Sequence, residues 1–159
     1  MKAFWNERFA AEAYAYGTEP NLFFQEQLDQ LAPGRLLMPA EGEGRNAVYA
    51  AQQGWAVTAF DISEAGQKKA LQLAQQRGVQ INYQVGQLAE LDFAPNSFDA
   101  IGLIFAHFPL ALRPDLHQQL SQLLRPGGHL ILEAFHKGHL AFNRSNPQAG
   151  GPKDAALLY

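Results

Sequence analysis

The sequence of 159 residues predicts an α/β protein built on a doubly wound, all-parallel sheet. Three observations predict this fold class. Short apolar runs alternate with segments of helical periodicity, which is typical of parallel βαβ units. Residues 98–105 (FDAIGLIF) are almost continuously apolar, as in a central strand that is buried on both faces. Gly42 and Gly44 lie where a predicted strand passes into a predicted helix.

The elements follow one another along the chain with clear start and stop signals. An aromatic segment, residues 1–20, precedes a helix predicted at 21–31, which Pro33 and Gly34 end. Gly78 follows the helix predicted at 64–77, and Pro114 lies in the first turn of the one predicted at 113–124. Another helix is predicted from Ala47 onward, and strands are predicted at 35–38, 55–60, 79–85, 98–105 and 129–135.

Right-handed crossovers between these strands predict the order 3-2-1-4-5, a Rossmann-like sheet. Ligands bind such sheets at the carboxyl ends of the strands, where the strand order reverses. Four loops converge on that edge, and they carry Gly42, Asp61, Gln87 and residues 105–108. The sequence therefore predicts one ligand site there.

The composition is that of an ordinary globular domain, with 47% apolar and 17% charged residues. A net charge of -3 and the lack of a basic stripe give no reason to expect a nucleic-acid partner. The sequence has no cysteine, so thiol catalysis is excluded, and His136 and His139 alone are too few for a metal site. No signal peptide or membrane span is evident, and a cytoplasmic protein is expected.

The glycine loop is the most informative motif. Residues 42–47 fit the dinucleotide pattern G-x-G-x-x-G/A, although a tight turn without a ligand is an alternative for so short a pattern. Glycine there removes the Cβ that would block a ligand. Glu41 and Glu43 would place two carboxylates where a pyrophosphate should lie, which is unfavourable. A ligand that is cationic at that end, such as S-adenosyl-L-methionine (SAM), suits the loop better.

Asp61 ends the second predicted strand, where an acidic side chain can accept both hydroxyls of a ribose. It could instead cap the helix that begins nearby, but Ser63 is itself a good cap. We therefore expect Asp61 to hold a ribose.

The chain resembles the class I SAM-dependent methyltransferases. The resemblance lies in LLMPAEGEGRNAVYAAQQGWAVTAFDIS, SFDAIGLIF and LLRPGGHLILEAF. Small bacterial members akin to the tellurite-resistance and thiopurine enzymes are similar also in YGTEPN and in a proline like Pro39. The resemblance implies a methionine end bounded by Gly42 and Gly44 and a ribose held by Asp61. It also implies that Ile62, Gln87 and Leu88 contact the adenine and that Phe105 closes the pocket.

The sequence departs from the family pattern at the glycine loop and at the adenine edge. Ala40 replaces the usual first glycine and Met38 an acidic residue, so Glu41 is the implied partner of the SAM ammonium group. Gln87 replaces an acid at the adenine edge, where its carbonyl could still accept a hydrogen bond.

The family sheet has seven strands, whereas five are predicted in this sequence, so the last two are expected to be missing. A single SAM-binding domain is expected across residues 1–159. It comprises an aromatic lid and helix (1–31), a core (35–136) and a C-terminally incomplete tail (137–159). An unpaired edge on strand 5 invites pairing with another chain. A homodimer through that edge is therefore expected unless the tail covers it.

Methyl transfer needs positioning and exclusion of water more than a fixed dyad, and the sequence shows no such dyad. His107 is the candidate general base, or else a loop histidine bonded to backbone. The N-terminal aromatic rings could shield the sulfonium or simply pack on the sheet. Arg45 and Arg113 are expected to be solvated or to cap helices.

The expected activity is SAM-dependent methylation of a small molecule, with S-adenosyl-L-homocysteine as product. The alternatives are a non-catalytic SAM-binding or ligand-sensing domain and, less favoured, an NAD-dependent oxidoreductase.

Overall fold

A computed structural model describes residues 1–159 and contains one five-stranded sheet in the order β3-β2-β1-β4-β5. All neighbouring strands are parallel. The predicted α/β class, strand order and direction are confirmed. The strands are β1 (Arg35–Pro39), β2 (Ala56–Asp61), β3 (Asn82–Val85), β4 (Phe98–Ile104) and β5 (Leu124–Glu133).

Helices cover both faces of the sheet. The α-helices are α1 (Lys2–Phe9), α2 (Leu22–Leu28), α3 (Arg45–Gln52), α4 (Glu64–Gln76), α5 (Arg113–Leu123) and α6 (His139–Ser145). Helices α2, α3 and α4 pack on one face, around a core that includes Phe24, Met38 and Ala70. Helix α5 packs on the other face through Leu120 and Leu123. No helix combines the length and the apolar character needed to cross a membrane.

Side-chain caps set where two of the helices begin. The Asn21 carboxamide accepts a hydrogen bond from the Phe24 N–H (2.8 Å), and the Ser63 hydroxyl accepts one from the Gly66 N–H (3.0 Å). Helix α2 ends earlier than the predicted residue 31. The reason is that the N–H groups of residues 30 and 31 bond to carbonyls three residues back, which tightens the last turn.

The C-terminal third differs most from the prediction. Strand β5 begins at Leu124 because Leu124 pairs with Phe98, and a bulge before the His129–Ala100 pair absorbs the Pro-Gly-Gly segment. Residues beyond 137 are not only a loop, since α6 forms there.

The end of the tail forms hydrogen bonds with residues that directly follow β5. The Tyr159 N–H donates to the Phe135 carbonyl (2.9 Å), and the Lys137 N–H donates to the Tyr159 carbonyl (3.0 Å). These bonds lie just past the end of β5, and Leu130 within the strand remains 50% exposed. The expected homodimer through the edge of β5 stays a prediction, which light scattering on the chain would test.

Candidate functional site

The structure places the predicted site residues at one edge of the sheet, at the carboxyl ends of four neighbouring strands. Residues 40–44 follow β1, and Asp61 ends β2 with Ile62 next to it. Gln87 and Leu88 follow β3, and residues 105–107 follow β4. The convergence inferred from the loops is therefore present in three dimensions.

Asp61 braces the first two strand ends. Its side chain accepts hydrogen bonds from the Gly42 N–H (3.1 Å) and the Ser63 N–H (3.0 Å), one on each oxygen. Burial raises the pKa of Asp61, and these N–H groups oppose that rise. Ser63 rather than Asp61 caps α4. Each carboxylate oxygen can accept a second hydrogen bond, so Asp61 keeps acceptor capacity for a ligand.

Gly42 is held from two sides and covered from a third. Its N–H bonds to Asp61, and its carbonyl accepts a 2.6 Å hydrogen bond from the buried Tyr83 hydroxyl. A Cβ at this position would lie 3.0 Å from the ring of Phe9. Sequence reasoning missed Tyr83 because an aromatic residue in a strand is ordinarily core.

Gly44 lies at a close contact between two helices. It is the N-cap of α3 with a φ of 85°, and a Cβ there would lie 2.5 Å from the Ala70 Cβ on α4. A side chain at this position would therefore enter the contact between the two helices. A larger side chain would meet α4 first, and the expected place of Gly44 at the methionine end of SAM stays a prediction.

Glu43 belongs to a buried ion pair. Its carboxylate forms a 2.5 Å ion pair with the Lys69 ammonium, and both residues are buried. Lys69 also donates to the carbonyls of Ala11 (2.8 Å) and Ala13 (2.7 Å), and Glu43 accepts from the Ala15 N–H (2.8 Å). A buried carboxylate needs such partners. Because the Glu43 charge is already paired with Lys69, the expectation that Glu43 would repel a pyrophosphate was wrong.

Glu41 caps the start of α3. One carboxylate oxygen accepts from the N–H groups of Asn46 (2.9 Å) and Ala47 (2.7 Å), a favourable position for negative charge. Burial nevertheless raises the pKa of Glu41 to about 7. A role of Glu41 toward an ammonium group would rest on its second oxygen and stays a prediction.

The raised pKa of Glu41 predicts how stability depends on pH. Its unfolded value is 4.5 and its folded value about 7. The folded chain therefore holds this proton more tightly, and the stabilisation is complete below about pH 4.5 and lost by about pH 7. We expect the free energy of unfolding of the native chain, relative to Glu41→Gln, to fall by on the order of 3 kcal/mol across that window. Urea unfolding of both chains at several pH values measures this, and a difference independent of pH would contradict it.

Two residues at the site adopt a left-handed backbone without being glycine. Ala40 after β1 has a φ of 51°, and Phe105 after β4 has a φ of 50°. Such conformations cost on the order of 1–3 kcal/mol and are typical of functional sites. The strain at Ala40 gives a physical reason for the usual glycine at this position.

The N-terminal aromatic segment packs over the glycine loop. Phe9 is buried against Gly42 and Gly66, and Trp5 stacks on its ring at 5.3 Å. The Asn6 side chain accepts a 2.7 Å hydrogen bond from the Ser63 hydroxyl at the start of α4. Helix α1 thus covers the glycine loop and the start of α4.

Arg113 was expected to be solvated or to cap a helix. This expectation was wrong. Arg113 is buried, and its guanidinium donates to the carbonyls of Phe108 (3.0 Å), Ala156 (3.1 Å) and Leu158 (2.9 Å). It thereby joins the loop after β4 to the tail. The pKa of His107 in that loop is lowered by burial and, to a smaller extent, by the Arg113 charge.

The remaining predicted residues form the rim. Phe105 packs on Phe135 at 4.7 Å between ring centroids, and His107 stacks on the same ring at 5.9 Å. Leu88 packs against the core on the α5 side of the sheet. Gln87 is exposed and donates its N–H to the Glu90 carboxylate (2.8 Å). Ile62 is half-buried.

A parallel sheet with a glycine turn after its first strand and an acid at the end of its second is typical of nucleotide-binding α/β domains. Residues 37–128 match the family model of the methyltransferase domain. The chain is 34% identical over 129 residues to the tRNA 5-carboxymethoxyuridine methyltransferase of Escherichia coli, with 75% of this chain and 49% of that protein aligned. The chain belongs to the methyltransferase domain family.

Two further similarities agree with this. The chain is 28% identical over 134 residues to a ubiquinone/menaquinone biosynthesis C-methyltransferase of Geotalea daltonii, covering 74% of this chain and 56% of that one. A SAM-dependent methyltransferase from Thiobacillus denitrificans, solved with S-adenosyl-L-homocysteine, shares the fold (TM-score 0.61, 22% identity, 80% of this chain and 53% of that one). The chain spans about half the length of these curated relatives.

Proposed function

We propose that this chain is the SAM-binding domain of a methyltransferase that acts on a small molecule. The observation that carries the proposal is the buried Asp61 carboxylate, fixed by the Gly42 and Ser63 N–H groups. It stands at the end of β2, and each of its oxygens can accept one more hydrogen bond. Two vicinal hydroxyls of a ribose match such an acceptor pair.

The residues present fit SAM. Asp61 would hold the ribose, Gly42 would bound the methionine end, and the second oxygen of Glu41 is available to an ammonium group, which would lower the pKa of that carboxyl. Ile62, Gln87 and Leu88 would line the adenine. When bound, SAM supplies an electrophilic methyl group on a positively charged sulfur.

The chain's own residues would position the cofactor, exclude water from the glycine loop and accept a proton. The packing of α1 through Phe9 and Trp5 excludes water from the glycine loop. The lowered pKa of His107 keeps its imidazole neutral at pH 7, in the form that accepts a proton. Stacking on Phe135 fixes the orientation of the His107 imidazole.

A small acceptor is supported by the net charge of -3 and by the lack of a basic stripe. The Geotalea relative is named for quinone biosynthesis, whereas the Escherichia relative is named for a tRNA modification. A tRNA acceptor is therefore the alternative outcome of a turnover assay, and SAM binding without turnover would favour a sensing domain.

Calorimetric titration with SAM, S-adenosyl-L-homocysteine and NAD tests the cofactor assignment. We expect SAM and S-adenosyl-L-homocysteine to bind and NAD not to. Binding of NAD without any response to SAM would overturn the proposal in favour of an oxidoreductase.

Asp61→Ala is expected to weaken SAM binding by about 1.5–3 kcal/mol, the range for hydrogen bonds to a charged group. This corresponds to roughly 10- to 150-fold in the dissociation constant. Calorimetry on the variant measures it, with Asp92→Ala, an exposed acid in the loop after β3, as the matched control. Unchanged affinity in a folded Asp61→Ala variant would leave Asp61 only the structural role of bracing the loops.

A further inference from the structure

A cleft with a volume of about 410 Å³ opens beside the carboxyl end of β5. It adjoins the site described above, because Glu133 pairs with Ile104 and its carbonyl accepts a 2.8 Å hydrogen bond from the Phe105 N–H. Its lining consists of Phe23, Leu132, Glu133, Ala134, His136 and Tyr159. The cofactor assignment uses none of these side chains.

Glu133 is the acidic residue of this cleft and lacks a basic partner. The ion pairs of the chain engage Glu19, Glu43, Glu64 and Asp99. Glu133 is half-buried and receives one neutral hydrogen bond, from the Asn21 amide nitrogen to its Oε2 (2.7 Å). A cation that enters the cleft can pair with this carboxylate, and hydrogen bonds to an ionised acceptor are the stronger ones.

Hydrogen bonds through Asn21 connect the Glu133 carboxylate to α3, the helix after the glycine loop. The Asn21 N–H donates to the buried Asn46 side chain in the first turn of α3 (2.8 Å), while the Asn21 amide holds Glu133. A single residue thus ties the acid in the cleft to the helix that follows the glycine loop.

The other lining groups suit a cation with an apolar body. Phe23 is 38% exposed and lines the cleft, and aromatic rings attract cations. Arg113 already lies over the Tyr159 ring at 4.0 Å, so Tyr159 contributes a wall rather than a cation site. The Nδ1 atom of His136 accepts the Gly138 N–H (3.0 Å).

We propose that this cleft binds a protonated amine of the methyl acceptor, with Glu133 as its counter-ion and Phe23 packing on its apolar part. The inference rests on the proposed methyltransferase function and narrows its substrate class to cationic small molecules.

The test uses three small probes of similar shape and different charge: 2-phenylethylamine, 2-phenylethanol and 3-phenylpropionate. Each is titrated at pH 7 into the full chain, and backbone NMR shifts of residues 132–136 are followed. We expect the amine to bind at least tenfold more tightly than the other two. Glu133→Gln, which keeps an oxygen for Asn21, is expected to abolish that preference. Glu26→Gln, which removes a charge from an exposed position of α2, is expected to preserve it.

Equal binding of the three probes, a preference for the alcohol or the carboxylate, or an amine preference that survives Glu133→Gln would each overturn the inference. A parallel titration with S-adenosyl-L-homocysteine separates the two proposals. If S-adenosyl-L-homocysteine fails to bind while the amine binds through Glu133, the cofactor assignment falls and the cation site stands. If S-adenosyl-L-homocysteine binds and the amine preference is absent, the reverse holds.

Discussion

Lys69→Met is expected to lower the free energy of unfolding by about 3–5 kcal/mol, the cost of leaving a buried charge without its partner. In the native chain the Lys69 ammonium meets the Glu43 carboxylate and the carbonyls of Ala11 and Ala13, with the Tyr14 ring 4.7 Å away. Methionine fills a similar volume but satisfies none of these groups. The N-terminal segment and the glycine loop should therefore loosen together.

Urea unfolding followed by circular dichroism measures this loss. Lys68→Met, the exposed neighbour on α4, is the matched control and should change stability by less than about 0.5 kcal/mol. The double variant Lys69→Met with Glu43→Gln should recover part of the loss, because no buried charge is then left unpaired. A single variant as stable as the control would contradict the view that this ion pair anchors the segment.

Gly44→Val is expected to destabilise the fold by about 2–6 kcal/mol, from a left-handed backbone and from overpacking. The backbone contribution follows from a φ of 85°, and the overlap from a Cβ that would lie 2.5 Å from Ala70. Loss of cofactor binding should accompany this variant as a consequence of the displaced glycine loop.

Gly78→Val separates the two contributions. Gly78 also has a positive φ, of 68°, but nothing lies within 4 Å of a Cβ built there. Thermal and urea unfolding should therefore show a smaller loss for Gly78→Val than for Gly44→Val. The double variant Gly44→Val/Ala70→Gly should restore little of the stability, because a Cβ at position 44 would still lie 2.8 Å from the Cα of residue 70. If Gly44→Val stayed as stable as the native chain and lost only SAM binding, position 44 would border the ligand after all.

The sequence by itself determined the fold class, the strand order and the edge of the sheet on which the predicted site residues meet. Hydrophobic runs and helical periodicity are local properties, and right-handed crossovers leave few ways to connect them. The loops that carry Gly42, Asp61 and Phe105 could therefore be placed together from the sequence. The end of α2 and the start of β5 were misplaced by a few residues, because a tightened turn and a bulge depend on neighbouring strands and helices.

Only the tertiary structure decided what individual side chains in that edge do. Glu43 and Lys69 lie 26 positions apart, and Arg113 meets the Leu158 carbonyl across 45. No local pattern marks such partners, because burial creates the need for them and burial is known only when distant segments pack. The same holds for Gly44, where the nearest atoms belong to Ala70, and for Tyr83, whose hydroxyl reaches Gly42 from another strand. Hydrophobic periodicity shows which loops lie together. The role of each side chain there depends on which distant groups pair with its charge or its hydrogen-bonding atoms.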